Sequence, residues 1–340
     1  MWLDGLHLPA GSGLVVAAAM VAAALLMDRI LGEPSRFHPL VGFGRWANWV
    51  EKQCRKQATS SSVSHSLSSM AATTPSPSPL RIRISGMVAW GLAVLPIALL
   101  ACLLLVWLFY LSPWLWLAAN VVVLYLTIGG NSLVFHASEI YRPLKNGDLI
   151  LAREKIGLIV SRETTTMDAD QITSAAVESV LENGNDAVFG ALFWFVVAGA
   201  PGALIFRMAN TLDAMWGYKN ERYYDFGFAA AKLDDLLGWL PARLTAVTYG
   251  IQGNLQSAMK CWKEQAPQCS SPNGGVVMCA GAGALNTSIG GPAIYHGKRH
   301  DKIYMGCGEF AGYQVIPQAN RLVNHGAWIW VLVLLLIGLG

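Results

Sequence analysis

From Gly86 to Leu111 the chain carries no charged residue. That exceeds the ~20 apolar residues a helix needs to cross the hydrocarbon core of a bilayer. Three further apolar runs accompany it: Gly13–Met27, Trp114 to about Gly129 or Phe135, and Gly326–Gly340. Charged residues make up 13% of the 340, about half the ~25% of an ordinary soluble domain. The expected fold is therefore an all-α integral membrane protein with about four to five transmembrane helices. No Lys or Arg precedes Gly13–Met27, so this run reads as a retained first span rather than a cleaved signal. The terminal run is slightly short for a span but carries Trp328 and Trp330 as interface anchors.

Basic residues order these spans across the membrane. Arg29, Arg36, Arg45, Lys52, Arg55 and Lys56 follow the first span, which places that segment in the cytoplasm and the N-terminus outside. Arg36–Lys56 reads as an amphipathic helix lying on the membrane, anchored by Trp46 and Trp49. Gln57–Leu80 is Ser, Thr, Pro and Ala, and is expected to be a disordered, dispensable insertion. Ser112-Pro113 makes a turn, and Arg142, Lys145, Arg153, Lys155 and Arg162 bring the chain back to the cytoplasm. Asp148 caps a helix to Val160, and Asp168–Glu182 forms another, closed by Gly184. Glu178 and Glu182 share one face of it, and Asn183, Asn185 and Asp186 extend that polar end. The organisation is 1–56, first span and amphipathic segment; 57–80, insertion; 81–136, transmembrane hairpin; 137–325, cytoplasm-facing catalytic region; 326–340, apolar helix.

Gly199–Ala246 is out of character with these runs. It packs Arg207, Asn210, Asp213, Lys219, Glu221, Arg222, Asp225, Lys232, Asp234, Asp235 and Arg243 among aromatics, a density that is costly beside a bilayer unless the groups are paired or used. The apolar run Ala187–Phe206 leads into it, interrupted by Gly199-Ala200-Pro201-Gly202. A full crossing here would leave the following basic residues outside. Two topologies avoid this: a re-entrant or protein-buried hairpin broken at the Gly-Pro, or a span paired with Leu236–Ile251. Pro241 and Arg243 interrupt that return segment and favour the hairpin. On a helix from Arg207, the residues Arg207, Asn210, Thr211 and Asp213 share one arc, suited to a phosphate and a metal or to a solvated face with local ion pairs. Adjacent Asp234 and Asp235 suit Mg²⁺, or an exposed face. Glu33 and His38, just past the first span, suit acid–base work or a structural pair.

Other classes find no support. A net charge of +3 is too small for a nucleic-acid partner. The six cysteines form no Cys-x-x-Cys pair, which argues against a disulfide framework or zinc site. The Gly-rich stretch Ser271-Pro272-Asn273-Gly274-Gly275, Ala280–Leu285 and Gly290-Gly291-Pro292 can form an anion nest or simply a loop with tight turns. It is no P-loop, and hydrolase and zinc-protease motifs are absent.

In three stretches the chain resembles the CbiB/CobD family of cobalamin biosynthesis, the adenosylcobinamide-phosphate synthases. They are ENGNDAVFGALFW (Glu182–Trp194), the run from AGAPGALIF through Ala246, and SPNGG with AGAL and GGP. The likeness covers nearly the whole chain except Gln57–Leu80. It departs from the family where Gly32-Glu33-Pro34 replaces Gly-Asp-Pro and Arg162-Glu163-Thr164 replaces Arg-Asp-Thr. After Ser271-Pro272-Asn273 a Trp and a Glu common in relatives are missing.

The resemblance implies a multi-pass inner-membrane enzyme with its active region facing the cytoplasm. It would join adenosylcobyric acid to (R)-1-aminopropan-2-ol or its O-phosphate, consuming ATP with Mg²⁺. Besides these substrates and the lipid bilayer, other corrinoid-pathway membrane enzymes are implied partners. Such a ligation needs metal ligands, cations for phosphate and a base for the ammonium. The candidates are Glu33, Asp213, Asp225 and Arg222 for catalysis. Arg162, Arg207, Asn210, Tyr218, Lys219, Lys232, Arg243 and Asn273 are candidates for substrate and phosphate, and Asp213, Asp234, Asp235, Glu182 and Asp186 for metal. The competing reading is a non-enzymatic membrane sensor resembling AmpE, which would not need this polar set. A transporter would show more spans and an inverted repeat.

Overall fold

A computed structural model describes residues 12–34, 38–63, 78–295 and 297–340. Among the described residues five helical segments are long and apolar enough to cross a membrane: Ser12–Leu31, Pro79–Leu111, Pro113–Lys145, Ala169–Trp216 and Val315–Leu339. The first is α1, a 20-residue helix about 30 Å long at 1.5 Å per residue. Its buried face is Ala17, Ala18, Val21 and Ala24, small side chains that let a neighbouring helix approach closely. That neighbour is the last helix, Val315–Leu339.

After α1, Pro39–Val63 forms α2. It runs on to Val63, into the Gln57–Leu80 stretch expected to be unstructured, because Lys56, Gln57 and Ala58 are good helix formers extending an existing helix. Residues 64–77 lie outside the described residues, as do 35–37 at the start of the expected amphipathic segment. Trp46 and Trp49 stack at 5.1 Å, and Trp46 Nε1 donates to Ala93 O at 3.2 Å. This fastens α2 to α3 (Pro79–Leu111). The third span is broken. Helix α4 (Pro113–Thr127) ends at extended Ile128, and α5 (Gly130–Lys145) begins again. The break is satisfied from two sides: Gly129 N donates to Ala187 O at 2.9 Å, and Asn131 N donates to Asp28 Oδ2 at 2.8 Å. Backbone freed inside an apolar bundle requires such partners.

Helix α6 (Leu149–Gly157) is capped by Asp148, as its sequence predicts. Helix α7 (Ala169–Gly184) starts with a full capping box from Asp168 and Gln171. Gly184 does not close it. The chain continues through a π-turn, Asn185–Phe189, into α8 (Gly190–Trp216). The glycine serves close packing instead: a side chain there would strike Tyr249 and Val323. The wide turn leaves Leu181 O free to accept from Tyr249 Oη at 3.1 Å.

Helix α8 folds back on itself. Ala198 and Gly199 are non-helical, with Gly199 at φ 69°, ψ −162°, a region open essentially to glycine alone. Around that point the chain pairs symmetrically. Gly190 abuts the ring of Phe206, Gly202 abuts the carbonyl of Trp194, and Arg207 reaches Asp186 O at 3.4 Å. Residues so far apart in sequence touch only across a reversal. The Gly-Pro break is thus the tip of a helical hairpin. Asn120 of α4 caps the returning arm, accepting from Ala200 N at 3.3 Å. From Asp186 to the tip is about 18 Å of helix, short of the ~30 Å hydrocarbon core.

Helix α9 (Phe228–Ile251) packs against both arms. It is not among the segments long and apolar enough to cross a membrane. Helices α10 (Leu255–Gln265) and α11 (Gly274–Ala284) follow. The Gly-rich run is therefore largely a helix rather than a loop. Its glycines sit where Leu181, Cys269 and the Ser257–Ala258 backbone leave no room for a side chain. Five short strands come next. β1 (Thr287–Gly290) lies between antiparallel β4 (Tyr304–Gly306) and parallel β5 (Glu309–Phe310), and β2 (Ala293–Tyr295) pairs with β3 (Lys298–His300). The terminal apolar run is only the end of α12 (Val315–Leu339), whose 25 residues suffice for a span. All six cysteines are free.

Candidate active site

The hairpin, α9 and the loop before α11 enclose a cavity of about 790 Å³. Nine of the predicted site residues line it: Glu182, Asp186, Asp213, Tyr218, Lys219, Lys232, Asp234, Asp235 and Asn273. The carboxylates come from three separate segments. Asp186 belongs to the π-turn on the entering arm, where Asn185 Nδ2 donates to its Oδ1 at 2.9 Å. A π-turn re-aims side chains that an unbroken α-helix would turn elsewhere. Asn185 is held in turn by Thr245 Oγ1, donating to Asn185 Oδ1 at 3.1 Å. Asp213 belongs to the returning arm, and Asp234 to the first turns of α9.

These carboxylates crowd one another. Burial first, then the charges of Asp186 and Asp213, push the Asp234 carboxyl up to about 8. Asn210 stands beside it, Nδ2 at 3.5 Å from Asp234 Oδ1. Asp235 is partly neutralised by Lys232 at 3.3 Å. An acidic wall that raises its own affinity for protons would also favour a bound cation. Among the described residues no three ligand side chains already converge as a metal cage. Mg²⁺ does not demand one, because it keeps waters and takes one or two carboxylates plus phosphate oxygens. The all-oxygen donor set of Glu182, Asp186 and Asp213 on this cavity fits that habit.

The loop Ser270–Asn273 closes one side. Arg243 braces it: Nη1 donates to Asn273 Oδ1 at 2.6 Å and Nη2 to Pro272 O at 3.1 Å. Asn273 Nδ2 then donates to Asp235 O at 2.8 Å. Arg243 therefore does not line the main cavity but positions a residue that does.

Other predicted residues lie outside it. Arg222 pairs with Glu51 of α2 at 2.8 Å, and Asp225 with Arg83 of α3 at 2.8 Å. Together they pin the 217–227 loop to α2 and α3. Arg162 pairs with Glu178 at 2.8 Å beside a smaller cavity of about 240 Å³. Glu33 and Arg207 line a third, of about 280 Å³. Sequence reasoning missed Arg83 and Tyr295, which line the main cavity. Arg83 had a signal, a basic residue at the foot of a span. Tyr295 had none, since only the β2–β3 hairpin carries it to the site.

The Arg162–Glu178 pair is almost fully enclosed, with side chains 11% and 7% exposed. Arg162→Ala is expected to destabilise the protein by about 3–5 kcal/mol, since it strands a buried carboxylate. Replacing both partners with apolar residues should cost much less. Thermal melts of the detergent-solubilised variants check this; equal losses in the two would contradict it.

Comparison with known proteins finds relatives along nearly the whole chain. The family model described as CobD/Cbib protein matches residues 21–323. The cobalamin biosynthesis protein CobD of Chromobacterium violaceum is 48% identical over 315 residues, 92% of this chain and 94% of the relative. That of Stutzerimonas stutzeri is 48% identical over 318 residues, 94% and 97% of the two chains. The cobalamin biosynthesis protein CbiB of Salmonella typhimurium is 33% identical over 290 residues, 83% and 85% of the two. No solved structure matches the chain.

Proposed function

The chain belongs to the CobD/CbiB family of cobalamin biosynthesis proteins, and from that membership we propose that it is an ATP-dependent amide ligase. It joins a propionate carboxyl of adenosylcobyric acid to the amine of (R)-1-aminopropan-2-ol or its O-phosphate, at the cytoplasmic face of the inner membrane. The observation that carries this reading is the main cavity's pairing of a crowded acidic wall with Lys219 and Lys232. Such a site takes a polyanion together with a divalent cation, which is what a nucleoside triphosphate with Mg²⁺ presents.

Amide formation from a carboxylate needs a better leaving group than hydroxide, and transfer of a phosphoryl group supplies one. Asp213, with Asp186 and Glu182 behind it, would hold Mg²⁺, whose charge would neutralise the phosphates. Lys219 and Lys232 stand on the same cavity to contact phosphate oxygens as charge-assisted donors. The amine arrives as ammonium and must lose a proton before it attacks. A carboxylate displaced toward neutrality is better matched to take that proton than an ordinary one near 3.9. Asp234 is so displaced. Tyr218, Tyr223 and Tyr224 offer ring faces for the corrin.

Purified protein given adenosylcobyric acid, aminopropanol or its phosphate and MgATP is expected to yield a corrinoid amide and ADP. With ¹⁸O in the substrate carboxylate, label should pass into released phosphate. An inert wild-type protein beside an active relative would refute the ligase. Amide formation without label transfer would refute only the acyl-phosphate route.

A further inference from the structure

Arg243 lines a separate cavity of about 480 Å³, which shares Lys232, Ser270 and Pro272 with the acidic one. Its chemistry is the opposite. Lys232, Arg243 and Lys263 line it, and among the described residues no carboxylate does. Lys232 is partly occupied by Asp235 at 3.3 Å. Arg243 meets only neutral acceptors, the carbonyls of Trp239 and Pro272 and Asn273 Oδ1. Its guanidinium stacks over the Trp239 ring at 4.7 Å. Among the described residues neither Arg243 nor Lys263 has a carboxylate within ion-pair distance. An anion entering here is held by the cations directly, without a divalent metal between. The planar guanidinium fork matches phosphate oxygens.

The surroundings of these cations are apolar. Trp262, Ala266, Pro267 and Val276 contribute walls to the cavity. On α9, Lys232, Leu236, Trp239 and Arg243 follow at spacings of four, three and four, so they share one face of the helix. Leu240, Leu244, Val247 and Ile251 repeat the same spacing beside them. All six of these apolar residues are exposed. From Leu240 to Ile251 the stripe is about 16 Å long, close to half of a ~30 Å hydrocarbon core. A water-soluble phosphate compound gains nothing from such a stripe. A lipid does, with its acyl chain along α9 and its phosphate at Arg243 and Lys263. Trp239 and Trp262 then stand at headgroup level, where indole rings prefer to be, and the lysine stems can lie along apolar surface with their charges at the phosphate.

We propose that the Arg243–Lys263 cavity is a specific site for an anionic phospholipid, which it selects over a zwitterionic one by its headgroup charge. The site stands independently of the ligase reading above. A free phosphate compound shares part of the chemistry, so the test separates the two sources. The intact protein in non-ionic detergent is titrated with phosphatidylglycerol, phosphatidylcholine or sn-glycerol 3-phosphate, and the bound compound is counted by native mass spectrometry.

Phosphatidylglycerol is expected to bind at least about tenfold more tightly than phosphatidylcholine, the scale of two cations acting on one lipid charge. It should also bind more tightly than sn-glycerol 3-phosphate, which lacks the acyl chains. Lys263→Glu should remove most of the preference. Lys263 is exposed on α10, so this change leaves the packing intact. Lys298→Glu makes the same charge change on exposed β3, outside the cavity, and should leave the preference as it is. Equal binding of the two lipids would mean that α9 meets only unselected bilayer lipid. Binding of sn-glycerol 3-phosphate as tight as phosphatidylglycerol would assign the cavity to a soluble phosphate. A preference unchanged in Lys263→Glu, or lost equally in Lys298→Glu, would place the selection elsewhere. Each of these results would overturn the proposal.

Discussion

Asp234→Asn is expected to lower amide formation by about 10²–10³-fold, the scale of removing one preorganised electrostatic group, while making the empty protein more heat-resistant. The two effects share one cause. Asp234 is buried against Asp186 and Asp213, and that environment pushes its carboxyl up to about 8. A folded-state value above the unfolded ~3.9 means the folded protein binds the proton more tightly. Stability therefore falls as pH rises from about 4 to about 8, and the penalty is fully present above 8. Asn removes the charge that incurs it but cannot take a proton from the incoming ammonium. Melting temperature against pH should fall across that window in the wild type and be flatter in the variant. Adding MgATP should reduce the slope in the wild type only. A variant that is both less active and less stable at pH 8 would mean Asp234 is structural.

Legibility in the sequence divides by the range of the interactions concerned. Apolar spans are local in composition, so α1, α3 and the end of α12 were readable. Caps are local too, and Asp148 and Asp168 act as their sequence contexts predict. The reversal at Gly199 was readable from Gly-Ala-Pro-Gly, but the charge rule left a paired span equally open, and Pro241 and Arg243 do not interrupt the return segment, since α9 runs unbroken through both. The candidate site was legible as a set of residue types but not as an arrangement. Arg222 meets Glu51 and Asp225 meets Arg83 across 171 and 142 residues, and no periodicity encodes which acid a given Arg will find. Glu51 is nearly fully buried, yet in sequence it is one polar residue of a surface-like helix. The α11 glycines mislead for a related reason. Glycine disfavours an isolated helix by about 1 kcal/mol per residue, but here the absent side chains let α11 press against α7 and α10. Tertiary approach outweighs propensity, and only the neighbours reveal it.

The hairpin explains why so many carboxylates share one cavity, and it makes the second large prediction. Asp186 and Asp213 lie on opposite arms, so they meet only if the chain returns. Return requires the arms to touch near the tip, where Gly202 abuts the Trp194 carbonyl. Gly202→Leu forces a side chain against backbone that cannot rotate away. Overpacking alone costs about 1–3 kcal/mol, and separating the arms also exposes the Asn120 cap on Ala200. Gly202→Leu is therefore expected to leave little assembled protein in the membrane and no amide formation. Gly42→Ala, where α2 leaves open space around the glycine, should be tolerated. Topology provides the independent check. With a hairpin, the residues before and after it lie on one side of the bilayer. In a background with the native cysteines replaced, Asp170→Cys and Lys219→Cys should label with an impermeant thiol reagent from the same side of sealed vesicles. Labelling from opposite sides would mean that α7 and α8 cross as one rod. The acidic cavity could not then exist, because its two arms would be separated by the bilayer.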